Sequence, residues 1–268
     1  YYRDNCSTRV RDALDRVLAG RIRAATDTIE TGHTYRFHTS RLIASDVPLY
    51  TGLLLALGQP ADHPLTAWQE MFLPLELRQW MRHVTVMDDS GRAAPLVKSE
   101  RTLFASTLPA PPAAPPARVP GYLAAGLALG LGLWWLGRRA PMSPLARRGF
   151  AWLAGGWALV VGFAGALLGC LWAFTDHTVA YRNENLFQAN LLLLPLAVLV
   201  PAAARGAGWA RRPAVALAML AAAGSLAGLV LKVFPAFYQH NAEILALAVP
   251  ASLGLAFGVA AATRGFRG

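Results

Sequence analysis

The sequence predicts a mixed α+β domain over residues 1–105 and an all-α membrane domain of about five transmembrane helices over residues 121–268. The composition, 55% hydrophobic and only 15% charged, is too apolar for an ordinary soluble domain. Residues 106–120 contain six prolines interleaved with alanine. Such a segment is extended and has no packed core of its own, so it predicts a linker and a domain boundary.

The first predicted element is a helix that begins beside a cysteine. Asp4 and Asn5 are residue types that cap helix N-termini, which makes Cys6 a first-turn residue. One apolar face follows at helical spacing: Val10, Leu14, Val17 and Leu18.

Cys6 has two interpretations at this position. The positive end of the helix dipole and three nearby arginines (Arg3, Arg9 and Arg11) favour the thiolate, which is the nucleophilic form. The alternative is a small buried hydrophobe, a common role of free cysteines. Cys170 lies inside an apolar run, so no disulfide between the two cysteines is predicted.

The rest of the first domain contains several short predicted elements. Gly20 ends the first helix, and residues 34–39 alternate in the manner of a short strand. Residues 49–57 form an apolar run that is too short to span a bilayer and is typical of a buried helix. Thr66 caps a further helix, and residues 75–83 form another after Pro74.

A β-hairpin is predicted next. Residues 84–87 and 94–97 are its two strands, and Asp88 and Asp89 are read as turn residues rather than as a catalytic carboxylate pair.

Beyond residue 120, apolar runs cover residues 121–137, 150–174, 186–204, 214–233 and 244–263. Each run is near the length of about 20 residues that a helix needs to cross hydrocarbon. Arginines cluster in every second connection: Arg138, Arg139, Arg147, Arg148, Arg205, Arg211, Arg212, Arg264 and Arg267. By the positive-inside rule these connections and the C-terminus are cytoplasmic, and the first domain is outside. Topology thus explains the basic residues of this half, and nucleic acid is not an expected partner.

The two outer connections, residues 176–185 and 238–243, are unusually polar. The candidate site residues in them are Asp176, His177, Asn183, Asn185, Gln239 and Asn241. One interpretation is ordinary helix capping and interfacial solvation. The other is a polar floor beneath the cysteine site that binds a lipid headgroup or closes the active site.

Neither a metal nor a cofactor is predicted. No glycine-rich phosphate loop is present, and His33 and His38, five positions apart, belong to no cluster of three or four ligands at workable spacing. A thiol enzyme needs a base, but His33, His38, His63 and His83 have no context that distinguishes one of them.

The run Tyr2-Arg3-Asp4-Asn5-Cys6-Ser7-Thr8-Arg9 resembles the cysteine motif of the Lnb-type lipoprotein N-acyltransferase family. Further segments agree: residues 57–58, 61–65, 70–74, 95–97, 176–177, 183–186, 190 and 239–241. The resemblance implies an α+β papain-like (permuted NlpC/P60-type) partial domain in the periplasm, followed by a membrane domain. It therefore implies a multi-pass protein of the bacterial inner membrane.

The implied activity is that of a thiol acyltransferase. Cys6 would attack a membrane phospholipid ester, and the resulting thioester would pass its acyl group to the free amine of a lipoprotein N-terminus. Asn5 would orient the site or stabilise an oxyanion, although capping by Asn5 or Asp4 is the simpler role.

The chain departs from the family pattern in one respect. The family's histidine lies in a Gly-His-Thr-like motif upstream of the cysteine, and this chain starts at Tyr1. Gly32-His33-Thr34 is similar but lies downstream of Cys6, so the catalytic role is not transferred to it. We therefore expect an N-terminally truncated chain whose outer part folds poorly and is inactive alone, the full-length parent being the enzyme.

Two alternatives remain open. A thiol hydrolase or peptidase would use the same cysteine, and a non-enzymatic integral membrane protein, such as a scaffold or accessory subunit, would not use it. The apolar runs have no acidic residue in their interior, which argues against an ion or proton path.

Overall fold

A computed structural model describes residues 1–87 and 90–264. The chain forms two compact units, which are described separately. The first contains residues 1–45 and 62–115, and the second contains residues 46–61 and 116–268. The sequence assigned residues 46–61 to the first domain, whereas the structure packs them within the second unit.

Short helices and strands make up the first unit. They are α1 (Cys6–Val17), α2 (Arg21–Thr26), β1 (Glu30–Thr34), α3 (Tyr35–Leu42), β2 (Pro64–Thr66), α5 (Ala67–Glu70), α6 (Pro74–His83), β3 (Thr85–Met87) and β4 (Ala93–Pro95). The label α4 belongs to Val47–Ala56 of the second unit. Asn5, Thr34 and Thr66 each accept a hydrogen bond from the backbone N–H three residues later. These side-chain caps explain why α1, α3 and α5 begin where they do.

The prediction of a papain-like α+β domain is wrong. The chain is 66% helical, and its described strands form only two small antiparallel pairs, β1 with β2 and β3 with β4. Of residues 34–39, predicted as a strand, only Thr34 is in one, as the last residue of β1. The others lie in α3, because the Thr34 side chain accepts from the Phe37 N–H and caps the start of that helix. The antiparallel pairing of β3 with β4 confirms the two strands of the predicted hairpin, and the predicted turn residues Asp88 and Asp89 lie outside the described residues.

Helix α1 has the predicted start, but of the four residues predicted to form its inner face only Leu18 packs against the core of the first unit. Ser7, Thr8 and Arg11 are buried, whereas Val10, Leu14 and Val17 are exposed by 52%, 42% and 84%. Hydrogen bonds explain this orientation: Ser7 Oγ donates to the Met71 carbonyl at 2.8 Å, and Arg11 Nη1 donates to the Trp68 carbonyl at 2.7 Å. Buried donors that find partners stabilise this face despite its polarity.

The core of the first unit lies where α2, α5 and α6 meet. It consists of five buried residues: Ile22, Trp68, Met71, Met81 and Val84. The Arg11 guanidinium lies 3.9 Å from the centre of a Trp68 ring, which ties α1 to this core through a cation–π contact.

The second unit combines α4 with five apolar helices. These are α7 (Val119–Arg139), α8 (Pro144–Phe174), α9 (Leu193–Ala204), α10 (Gly208–Val230) and α11 (Ala242–Arg264). Among the described residues, four of them (α7, α8, α10 and α11) are long and apolar enough to cross a membrane. In length and composition these four helices are compatible with a multi-pass membrane protein.

The expectation of about five transmembrane helices is corrected to four helices of spanning length and one short helix. The run at 186–204 gives only the 12-residue α9, because residues 184–187 form a 3₁₀ turn. Polar side chains hold that segment out of a helix, since Asn183 Oδ1 accepts from the Asn185 N–H and Asn190 Oδ1 accepts from the Leu192 N–H.

Candidate functional site

Cys6 is the first residue of α1, and it is exposed. Asn5 forms a capping box with Thr8: the Thr8 N–H donates to Asn5 Oδ1 at 3.0 Å, and the Asn5 N–H donates to Thr8 Oγ1 at 2.8 Å. Asn5 Nδ2 also donates to the Phe72 carbonyl at 3.0 Å. Asn5 is therefore a capping and positioning residue that fixes the N-terminus of α1 beside the thiol.

Asp4 pairs with Arg9 on the surface of α1. Arg9 Nη2 donates to Asp4 Oδ2 at 2.6 Å, and this hydrogen bond lowers the pKa of Asp4. Both side chains are more than half exposed. Asp4 binds the guanidinium of Arg9. Arg3 and Arg9 both lie three residues from Cys6 in sequence, so one of these two positive charges is partly neutralised.

The thiol faces away from the core of the first unit. Each residue of an α-helix rotates by about 100°, so Cys6 lies on the side opposite to the buried Thr8 and Arg11. The same side contains the exposed Val10, Leu14 and Val17. Cys6 thus lies at the N-terminal end of an exposed apolar strip, here called the α1 strip: Val10, Ala13, Leu14 and Val17.

A buried carboxylate forms the second feature of this unit. Glu70 Oε1 accepts from His33 Nδ1 at 2.7 Å and from His38 Nε2 at 2.8 Å, and Glu70 Oε2 accepts from Trp80 Nε1 at 3.2 Å. Burial raises the pKa of Glu70, but the hydrogen bonds from His38, His33 and Trp80 outweigh burial and lower the pKa to about 2. The carboxylate is therefore ionised throughout the physiological pH range.

Three potential metal ligands are gathered here, contrary to the spacing argument from sequence. One atom each of His33, His38 and Glu70 lies within 4.8 Å of the others. The surroundings favour hydrogen bonds over a metal. Arg41 Nε donates to His38 Nδ1 at 3.1 Å, so the ring proton of a neutral His38 is on Nε2, the atom that a metal would need.

No described hydrogen bond joins Cys6 to the Glu70 cluster. Among the described residues Cys6 makes no hydrogen bond with a histidine, and the helix segment that carries Glu70 packs against the face of α1 opposite to the thiol. The His33 imidazole is bonded to Glu70, and the His33 side chain is 43% exposed. The structure does not place this imidazole as the base for Cys6.

In the second unit, four of the predicted polar residues form one buried network: Asn183, Asn185, Gln239 and Asn241. Asn183 Nδ2 donates to the carbonyls of Leu55 and Ala56, and Asn185 Nδ2 donates to those of Leu54 and Leu55. These are the last carbonyls of α4, which have no partner within their own helix. Two asparagines of one membrane-domain loop therefore cap a helix from a distant part of the sequence.

Glu184 is the charged centre of this network and was not among the predicted site residues. Glu184 Oε1 accepts from Gln59 Nε2 at 2.8 Å and from the Gln239 N–H at 2.9 Å, and Glu184 Oε2 accepts from Lys232 Nζ. The position of Glu184 between Asn183 and Asn185 is the signal that could have identified it. Gln59 could not have been found, since it comes from a turn read as part of another domain.

Asp176 and His177 are not part of the network. Both are exposed, and His177 bonds locally to Thr175. The connection between α8 and α9 thus separates into an exposed start and a buried end.

A cavity of about 430 Å³ adjoins the network. Its lining is mainly apolar, with Trp172, Leu186, Phe187 and Phe237, and the polar part comes from Gln59, Arg182 and Glu184. Arg182 has a left-handed backbone (φ 48°), which a non-glycine residue adopts only at a cost. A second cavity, of about 440 Å³, lies around Asn241 and Glu243.

Comparisons of the chain with protein-family models, with curated proteins and with solved structures give no match.

Proposed function

We propose that this protein is a membrane-bound thiol acyltransferase. It would move an acyl chain from a phospholipid, through a thioester on Cys6, to the amine of a lipoprotein N-terminus. The observation that carries the proposal is the position of Cys6: an exposed thiol at a capped helix N-terminus, at the end of the exposed α1 strip. A nucleophile that receives a fatty acyl group needs apolar surface beside it, and the α1 strip provides that surface.

The proposed reaction has two balanced steps. The sulfur of Cys6 attacks the ester carbonyl of the phospholipid, the C–S bond forms, the C–O bond breaks, and the thiol proton passes to the departing lysophospholipid oxygen. The amine nitrogen then attacks the thioester carbonyl, the C–N bond forms and the C–S bond breaks. A proton from the amine returns to sulfur, so the thiol is regenerated.

The membrane helices support a lipid substrate. Four helices of spanning length keep the chain in a bilayer, where both a phospholipid and a lipidated N-terminus reside. Confinement to the same surface raises the effective concentration of both substrates. The arginine clusters support an inner-membrane orientation with the first unit outside and the C-terminus in the cytoplasm.

The test uses the protein reconstituted with phospholipid carrying a labelled acyl chain. We expect a hydroxylamine-sensitive acyl group on Cys6 that disappears when a diacylated lipopeptide with a free amine is added. The Cys6→Ser variant should lack the adduct, and the matched Cys170→Ser variant, which removes the other exposed cysteine, should retain it.

Two results would redirect the proposal. Rapid release of free fatty acid without transfer to the lipopeptide would identify a thiol hydrolase. A Cys6→Ser protein that complements a deletion strain as well as the parent would rule out thiol catalysis and leave a non-enzymatic role.

A further inference from the structure

Arg182 is held in its left-handed backbone conformation by fixed residues on both sides. On one side, the Tyr181 hydroxyl donates to the Thr175 carbonyl at 2.6 Å. On the other, Asn183 Nδ2 donates to two carbonyls at the end of α4, at 2.8 and 3.0 Å. A backbone conformation that costs energy persists only where the surrounding structure enforces it, and such residues concentrate at functional sites. The Arg182 side chain therefore starts from a fixed point.

The guanidinium of Arg182 is not used by the fold. Arg182 is exposed, and its side chain has no hydrogen bond, ion pair or ring contact among the residues that the structure describes. The buried charges beside it compensate each other, because the Lys232 ammonium binds the Glu184 carboxylate as well as the Gln239 carbonyl. Arg182 thus offers a positive charge and five N–H donors to a ligand.

Arg182 lines the cavity of about 430 Å³, here called the Arg182 cavity, which has the size of a small-molecule site. Its wall is mainly apolar: Trp172, Leu186, Phe187, Ala236 and Phe237. The ring centres of Phe187 and Phe237 lie 6.3 Å apart. The other polar lining residues hydrogen-bond within the buried network: Gln59, Asn183 and Glu184. A ligand therefore meets the Arg182 guanidinium beside an apolar wall, which suits an amphiphile with an anionic end.

Trp172 places the Arg182 cavity at the end of a helix of spanning length. Trp172 is in the last turn of α8, which ends at Phe174 and is long and apolar enough to cross a membrane. Tryptophan is enriched where the hydrocarbon of a bilayer meets its headgroup layer. The anionic groups at that level are the phosphates of lipids, and each is attached to apolar chains.

We propose that the Arg182 cavity binds a phospholipid, with the phosphate on the Arg182 guanidinium and the first part of an acyl chain against Phe187 and Phe237. A guanidinium suits phosphate because two of its N–H groups donate in parallel to two phosphate oxygens. A soluble phosphate ester has the same anionic group but no chain for the apolar wall. The site belongs to the second unit and does not rest on the thiol chemistry proposed for Cys6.

The experiment is photocrosslinking of the protein in mixed micelles. Phosphatidylglycerol with a diazirine near the carboxyl end of one acyl chain is compared with a diacylglycerol that has the same chains and no phosphate. Tandem mass spectrometry locates the crosslinked residues. We expect at least fivefold more crosslinking at Phe187 and Phe237 with the phospholipid. Excess glycerol 3-phosphate should not reduce it, because this soluble ester cannot fill the apolar part of the cavity.

Three variants test the role of Arg182. Arg182→Gln removes the charge and should reduce the phospholipid crosslinks at least fivefold. The matched control is Arg205→Gln, which removes an exposed arginine between α9 and α10 and should leave the crosslinks unchanged. Arg182→Gly separates binding from folding, because glycine adopts the left-handed conformation without strain. This variant should unfold at or above the temperature of the parent and still lose the crosslinks.

Three results would overturn the site. They are equal crosslinking by the two lipids, an Arg182→Gly protein that still discriminates between them, and loss of the crosslinks in excess glycerol 3-phosphate, which would assign the guanidinium to soluble esters. Cys6→Ser should crosslink as the parent does, so a failure of the proposed acyl transfer would not affect this readout.

Discussion

Arg36 donates from Nε to both carboxylate oxygens of Asp62, at 2.7 and 3.0 Å, and the two side chains are 4% and 0% exposed. The pair joins the first turn of α3 to the point where the chain re-enters the first unit. Two charges withdrawn this completely from water depend on each other, because either one alone would remain buried without its counter-charge.

Asp62→Ala should destabilise the first unit strongly. Removing the carboxylate leaves the Arg36 guanidinium buried without its counter-ion, and such losses cost about 3–5 kcal/mol. The measurement is the free energy of opening from hydrogen exchange of first-unit amides. Asp4→Ala is the control, since its ion pair with Arg9 is exposed and screened by solvent, so its removal should change the stability little. Similar losses in the two variants would contradict this explanation.

The stability of the first unit should fall as the pH drops from about 4.5 towards 2. Glu70 has a pKa of about 2 in the fold and about 4.3 in the unfolded chain, so the unfolded state binds more protons between these values. The contribution is present above pH 4.5 and is lost as the pH falls through the folded pKa, with a magnitude of about 3 kcal/mol at most.

The control for this pH dependence is Glu70→Gln. Because glutamine does not titrate, the variant should be less stable than the parent at pH 7 and the difference should shrink with acidification. Acid unfolding followed by tryptophan fluorescence is a direct measurement. A difference that is constant from pH 7 to pH 2.5 would show that Glu70 does not act through its charge.

Local signals in the sequence predicted the helix starts well. Asn5, Thr66 and Pro74 act within a few residues, and the helices begin where these residues place them. Periodicity failed to predict the buried face of a helix where its hydrogen-bond partners lie far away in sequence. Val10 and Leu14 mark an apolar face by period, but the buried face of α1 is decided by carbonyls more than fifty residues away. The spacing of apolar residues within α1 contains no information about those carbonyl acceptors.

The candidate sites also divide into features that the local sequence predicted and features that depend on residues distant in sequence. The two polar connections, residues 176–185 and 238–243, were identified from composition, because so many amides beside a membrane are unusual. Their role was decided by tertiary structure, in which Asn183 and Asn185 cap α4. The cluster at Glu70 was missed because its two histidines come from β1 and α3 and its glutamate comes from α5, whereas a spacing search compares only residues that are close in sequence.

Gly130→Leu should disrupt the packing of α7 against α11. A side chain at Gly130 would overlap the backbone of Pro250, so the two helices approach each other too closely for a side chain between them. Gly132→Leu is the control on the same helix, because a Cβ there meets nothing within 4 Å. Thermal unfolding in detergent should show a large drop for the first variant only. Equal melting temperatures would mean that α7 and α11 do not need this approach.

The proposed orientation predicts which thiols react from outside. In intact cells a membrane-impermeant maleimide should label Cys6 in a Cys170→Ser background. Ser143→Cys, in the arginine-rich connection between α7 and α8, should be labelled only after the membrane is made permeable. Thr178→Cys, in the next connection, should behave as Cys6 does. Labelling of Ser143→Cys in intact cells would reverse the proposed orientation.

Asn185→Asp should destabilise the second unit although it changes one atom. Asn185 Nδ2 donates to the Leu54 and Leu55 carbonyls, and an aspartate would place an oxygen against both of them in a fully buried position. Loss of two hydrogen bonds and burial of an unpaired charge cost about 3 kcal/mol or more.

The matched change is Asn190→Asp. Asn190 uses Oδ1 to accept from the Leu192 N–H, and its Nδ2 reaches the Phe187 carbonyl only at 3.4 Å, so an aspartate keeps the stronger bond. Thermal unfolding in lipid nanodiscs should show a lower transition temperature for Asn185→Asp and little change for Asn190→Asp. Proteolysis at α4 should rise in parallel, because the lost cap belongs to that helix. If the transition falls while α4 stays protected, Asn185 stabilises the unit by some route other than capping.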